Sequence, residues 1–281
     1  MAKDGGRSIP KAWLGAGFLI LATACTPIHT TSAGAVGVDR RQSMLVSSAE
    51  VNQSAEKAYA QTIQEARAKN LLNRDPAQVR RIRGITARLI AVTGVFRADA
   101  PAWHWETNII RSNELNAWCM PGGKIAVYTG LIDRLSLSDD ELAAVIGHEI
   151  AHALREHGRE KASQAVGVDL AATLGGLIGT YYGIDASVGQ DLIGTAGDLA
   201  FMRPNSRGME QEADRIGVEL AARAGYDPQA AISLWEKMAR VSGVGTPQWL
   251  STHPSNQTRI ADLREYAQRV QPLYRAARGK R

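Results

Sequence analysis

Apolar residues recur at helical spacing along most of this chain and at strand spacing over one short stretch. Helix formers dominate residues 49–69, where Val51, Ala55, Tyr59 and Ile63 share a face. A second helix is expected from residue 75, with Asp75 as N-cap and Pro76 in the first helical position, through Val79, Ile82, Ile85, Leu89 and Val92 to Gly94. The period then changes, and residues 103–111, 115–119 and 125–129 predict three short strands. Met120-Pro121-Gly122-Gly123 forms the turn between the last two. A long helix follows from Asp139, with Ser138 and Glu141 spaced as a capping box and Leu142, Val145 and Ile146 as its buried side. Further helices are expected over 207–224, 228–241 and 255–270, ahead of a basic tail at 271–281.

Two stretches break this regularity. The N-terminus has a basic start (Lys3, Arg7, Lys11), an apolar run from Ala12 to Ala22 that is short for a bilayer, and small residues up to Cys25. That pattern reads as an export signal over 1–24. Leu21-Ala22-Thr23-Ala24-Cys25 resembles a bacterial lipobox, with Ala22 where Leu is commoner, and makes Cys25 the expected lipid attachment point. Residues 25–48, rich in Thr, Ser, Ala and Gly, read as a lipidated tether, leaving 49–270 as the domain. Farther on, Gly175, Gly179 and Gly183 recur in an uncharged stretch too short to span a membrane, which reads as a closely packed small-residue helix.

Composition narrows the picture. A chain of 281 residues with 44% hydrophobic and 22% charged residues can bury a full core, which excludes a disordered chain and a polytopic membrane protein. Two cysteines, Cys25 and Cys119, exclude a disulfide scaffold, and Cys119 is expected to be buried. The net charge of +5 falls to +3 once a leader carrying Lys3, Arg7, Lys11 and Asp4 is removed. The remaining basic residues are scattered without aromatic interleaving, so no nucleic-acid partner is expected.

The chemistry lies in the capped helix. His148-Glu149-Ile150-Ala151-His152 is an HExxH pattern, and residues four apart on a helix point from one face, so both imidazoles can converge on one ion. Gly147 and Ala151 leave room beside them. A catalytic zinc site needs a third protein ligand. Glu210 and Asp214 share a face of a later helix while Glu212 points elsewhere, which makes Glu210 the third ligand and places Asp214 to accept a hydrogen bond from a ligand imidazole. His157, one turn beyond the motif, reads as solvated, and His104 as a packing residue on a strand.

The pattern His148 to His152, followed by Ser206-Arg207 through Glu210 and Ala213-Asp214, resembles the zinc metallopeptidase family that includes HtpX, the CAAX prenyl protease, BepA and LoiP. The segments 116–123 and Thr252-His253-Pro254 with Arg259-Ile260 match two further blocks of that family in the same order. The resemblance spans about residues 116–260. It implies an α+β, mainly helical, zincin-like domain that binds one zinc ion through His148, His152 and Glu210. It also implies a small sheet whose edge strand, the one after Pro121-Gly122-Gly123, borders the cleft. The chain lacks the transmembrane pairs of HtpX and the helical repeats of BepA, and so is most similar to short lipoprotein members such as LoiP. By analogy His253 sits near the metal, as an oxyanion donor or a reversible fourth ligand; the alternative is a loop histidine that shapes the turn before Pro254. Arg259 either pairs with an acid near the site or lies on the helix surface.

These parts imply a metalloendopeptidase in which zinc lowers the pKa of water to about 7 and Glu149 acts as general base. The strand at 125–129 is expected to hold an extended substrate by adding it to the sheet edge, a mode suited to unfolded or misassembled proteins. The expected setting is the periplasmic face of a bacterial outer membrane, reached through a lipid anchor at Cys25, with outer-membrane assembly machinery as a partner. The competing reading is a lipoprotein chaperone that holds unfolded outer-membrane proteins, its protease site latent or gated by His253.

Overall fold

The computed structural model describes residues 27–167, 204–241, 248–253 and 257–279. The leader, Cys25 and the glycine-rich stretch at 170–197 lie outside them. Among the described residues no helix is long and apolar enough to cross a membrane.

Helix α1 (Ser48–Ala68) starts at a Ser47/Glu50 capping box and buries Val51, Ala55 and Tyr59. Helix α2 (Pro76–Ile90) starts where Asp75 accepts hydrogen bonds from the amides of Ala77 and Gln78, and it buries Val79, Ile82, Ile85 and Leu89. It ends four residues short of Gly94, and two single 3₁₀ turns lead to the sheet.

Strands β1 (Glu106–Ile110), β2 (Ala117–Met120) and β3 (Lys124–Tyr128) form one mixed sheet in the order β1-β3-β2. β3 runs parallel to β1 and antiparallel to β2. Gly122 and Gly123 make the β2–β3 turn at φ of 80° and 85°, and a Cβ on Gly123 would lie 2.6 Å from the Trp105 ring. This order corrects the expectation for 125–129. β3 is the central strand with both main-chain edges paired, so it has no free edge for a substrate. The edge strand beside the long helix is β2, and no strand among the described residues pairs with its outer side. His104 precedes β1 and is exposed.

A short helix α3 (Thr129–Arg134) leads into α4 (Asp139–Leu154), which opens on the Ser138/Glu141 capping box. Every residue from Glu141 to Leu154 is buried, because α4 is wrapped by β2, α2, α5 (Arg207–Arg223) and α6 (Ala230–Val241) rather than lying against one surface. A turn at Arg155 and Glu156 precedes a helical segment over 157–167. The chain closes with α7 (Gln248–Thr252) and α8 (Gln257–Arg278), which continues past Pro272 through most of the stretch read as a tail. Helix α8 packs on α5, and α5 on α4.

Residues 27–47 differ most from expectation. They lack an apolar period, yet they are docked rather than loose. Ile28 and Gln42 form a bridge, Val36 and Val38 are buried, and Val36 N donates to Glu219 at 3.0 Å. Arg40 pairs with Glu160 and Glu212, and Gln42 donates to the Arg155 carbonyl oxygen at 2.8 Å. Polar anchors hold this segment where a hydrophobic face would have been legible.

Candidate metal centre

Helix α4 presents His148 and His152, α5 presents Glu210 and Asp214, and the residue after α7 is His253. The helix axes come close because Gly147 and Gly217 face each other at the crossing, where a Cβ on Gly217 would sit 2.8 Å from His148 N. Beside that contact, His148 Nε2 lies 3.0 Å from His152 Nε2, 3.2 Å from His253 Nδ1 and 3.5 Å from Glu210 Oε2. Glu210 Oε1 lies 3.4 Å from His152 Nε2 and 3.0 Å from His253 Nδ1. All four side chains are buried, and their donor atoms lie within 4.8 Å of one another.

These separations fit a cation. Four ligands tetrahedrally arranged at zinc–nitrogen and zinc–oxygen distances of about 2.0–2.1 Å stand about 3.3 Å apart. The protonation pattern agrees. His148 Nδ1 is 3.0 Å from Asp214 Oδ1, and Arg259 Nε and Nη2, each 2.7 Å from that carboxylate, keep it ionised. An ionised carboxylate only accepts, so Nδ1 carries a proton, and Nε2, which faces the centre, is the nitrogen that a metal ion would take in place of a proton. Glu210 Oε2 lies 2.8 Å from Arg259 Nη1 but makes no well-aligned hydrogen bond among the described residues, which leaves an acceptor 3.5 Å from His148 Nε2.

The acids create a field that favours positive charge. Burial pulls His148 down, but Asp214 and Glu210 outweigh it and push its pKa up to about 9. His152 goes the other way, held well below the usual histidine value chiefly by burial, with His148 and His157 adding to the effect. For Glu210, burial works upward and is overcome by His253, His148 and His152, so it lies well below the ordinary carboxylate range.

Glu149 is buried beside His148. Its Oε1 accepts from Trp249 Nε1 at 2.8 Å and lies 3.5 Å from His253 Nε2. One short segment, residues 248–253, therefore covers both the donor cluster and the adjacent carboxylate. Cys119 on β2 is only partly exposed, and its thiol is pushed well above the usual value by burial and then by Glu149. A surface cavity of about 350 Å³ between α2 and β1, lined in part by Arg83, Trp105 and Asn108, does not reach this cluster.

The structure thus brings His148, Glu149, His152, Glu210, Asp214 and His253 together, and it resolves Arg259 as a buried partner of Asp214 and Glu210. It corrects His157, which is 1% exposed rather than solvated and lies 2.8 Å from His152 Nδ1. Asn205, whose Nδ2 donates to Glu210 Oε1 at 2.7 Å, and Trp249 carried no sequence signal.

A pair of histidines one helical turn apart, an adjacent glutamate and a carboxylate from a second helix define a zinc metallopeptidase site. Residues 76–267 match the model of peptidase family M48, and the chain belongs to that family. It is 39% identical over 155 residues to the mitochondrial metalloendopeptidase OMA1 of Arabidopsis thaliana, covering 55% of this chain and 30% of that protein. To OMA1 of Schizosaccharomyces pombe it is 33% identical over 223 residues, 77% of this chain and 61% of the relative. To the beta-barrel assembly-enhancing protease of Escherichia coli (strain K12) it is 30% identical over 222 residues, 75% of this chain and 43% of the relative. The chain thus spans between 30% and 61% of the length of these curated relatives.

Proposed function

We propose that this chain is a zinc-dependent metalloendopeptidase acting on unfolded or misassembled periplasmic and outer-membrane proteins. The observation that carries the reading is the convergence of His148, His152 and Glu210 on one point with Glu149 beside it. His148, His152 and Glu210 would hold the zinc ion, which supplies a Lewis acid that polarises a carbonyl and makes water a nucleophile at neutral pH. Glu149 takes the proton of the attacking water and passes it to the leaving amine. Asp214 fixes the tautomer of His148, and Arg259 keeps Asp214 ionised. An extended substrate adds along the outer edge of β2, where main-chain pairing reads backbone more than side chains.

The substrate class is supported by that mode of binding and by similarity to a relative named for β-barrel assembly. Lipid attachment at Cys25 would tether the domain to the outer membrane facing the periplasm, within reach of the assembly machinery. The activity is tested by casein cleavage with the zinc-loaded chain, lost on chelation and regained with zinc; a chelator-insensitive rate refutes it. Anchoring is tested by palmitate incorporation and membrane fractionation of wild type and Cys25→Ser. Equal labelling of the two refutes it.

A second reading, a chaperone-like binder with a latent site, is favoured by one observation. His253 occupies a place in the donor set that substrate and water need, while Trp249 holds Glu149. A gate formed by residues 248–253 reconciles the two readings.

A further inference from the structure

His152 is supported differently from His148. Among the described residues no carboxylate meets its Nδ1. That atom instead lies 2.8 Å from Nδ1 of His157, whose Nε2 is 3.0 Å from Glu212 Oε2. Glu212 is gripped by two arginines: Arg155 Nε donates to Oε2 at 3.0 Å, and Arg40 contacts both carboxylate oxygens. Arg155 also donates to Thr31 Oγ1 at 3.2 Å and to the Arg40 carbonyl oxygen at 2.9 Å. Gln42 closes the cluster on Glu160 at 2.6 Å, and Glu160 in turn pairs with Arg40.

We propose that His157 is a positioning residue that fixes His152 for metal binding, and that residues 28–42 form a strap holding its carboxylate partner Glu212 in place. The inference rests on zinc being held by His148, His152 and Glu210. The proton arithmetic is restrictive. Only one proton fits between two Nδ1 atoms at hydrogen-bond distance, and a carboxylate gripped by two arginines can only accept. His157 therefore donates from Nε2 to Glu212 and accepts at Nδ1, so the shared proton belongs to His152 Nδ1. The Nε2 of His152 is left as a lone pair facing the other donors. The reverse tautomer would put a hydrogen on that Nε2 and close it to a metal.

This arrangement gives the N-terminal segment a role in the chemistry. Arg40 and Gln42 lie more than 100 residues before Glu212 and Glu160 in the chain, yet they complete the network that orients a ligand. Displacing the strap frees Glu212 and, through His157, loosens His152.

The test uses the full chain as wild type, His157→Leu, His157→Gln and Arg40→Ala. Zinc affinity is measured by competition with a chromogenic chelator, and the histidine tautomers of the zinc-loaded wild type by long-range ¹⁵N NMR. Glutamine can accept from His152 and donate to Glu212, whereas leucine can do neither. The expected result is about 10- to 100-fold weaker zinc binding for His157→Leu, recovery of most of that loss in His157→Gln, and a severalfold weakening in Arg40→Ala, with the proton on Nδ1 of His152 and on Nε2 of His157. Equal affinity across the set, equal losses in the leucine and glutamine variants, or a proton on Nδ1 of His157 would overturn the proposal. Should His157→Leu not fold, the wild-type tautomers and the Arg40→Ala affinity still decide it. Failure of the wild type to bind one zinc would instead strike the metal-site reading on which the inference depends.

Discussion

Gly147 and Gly217 touch where α4 crosses α5: a Cβ on Gly147 would lie 2.9 Å from the Gly217 carbonyl oxygen, and one on Gly217 3.0 Å from the Gly147 carbonyl carbon. Both obstacles are backbone, so neither can rotate away. This contact sets the distance between the helix bearing the histidines and the helix bearing Glu210 and Asp214. Gly217→Ala should therefore push the helices apart, costing about 1–3 kcal/mol and weakening zinc binding together with stability. Calorimetry and chelator competition on the same sample check this. Unchanged zinc affinity would show that the site does not depend on the crossing.

Glu156 joins α1 to the centre of the domain through Arg97, Arg159 and Ser48. Burial works to raise its pKa, but Arg159 and Arg97 outweigh that and hold it below the ordinary value of 4.5. A carboxylate whose pKa falls on folding stabilises the fold above its unfolded pKa and loses that contribution as the pH drops. Glu156→Gln should lower the melting temperature at pH 7 by an amount equivalent to about 2 kcal/mol, with the difference shrinking as the pH falls below 4.5, the ordinary value, and through the lower folded-state pKa. A gap that stays constant as the pH falls would mean the contribution is steric rather than ionic.

If residues 248–253 gate the site, removing the imidazole that fills the open position should release it. His253→Ala is expected to cleave casein severalfold faster than wild type while keeping one zinc per chain. A rate at or below that of wild type would remove the gate and leave His253 as a catalytic or structural group.

Local signals were legible where chemistry acts over one turn of chain. Asp75 before Pro76, and Ser138 with Glu141, mark helix starts that the structure reproduces, because a cap satisfies amides only two or three residues away. His148 with His152, and Glu210 with Asp214, were legible for the same reason: helical geometry alone makes each pair share a face. Strand order was not legible, since the choice of β3 as central strand is made by tertiary pairing with β1 and β2. The docking of residues 27–47 is not legible in the sequence because Arg40, Gln42 and Thr30 bind through long-range charge and hydrogen bonds and leave no period. The burial of His157 depends on Glu212, which has meaning only once α5 lies beside α4. The continuation of α8 past Pro272 shows that one missing amide does not end a helix already packed on α5.

In the proposed mechanism Glu149 carries the proton beside a bound zinc ion. The most direct test is the rate of casein cleavage by zinc-loaded wild type against zinc-loaded Glu149→Gln, with zinc content measured on both. The expected result is one zinc per chain in each and a loss of about 10²- to 10⁴-fold in rate for the variant. Equal rates at equal zinc content would contradict the mechanism.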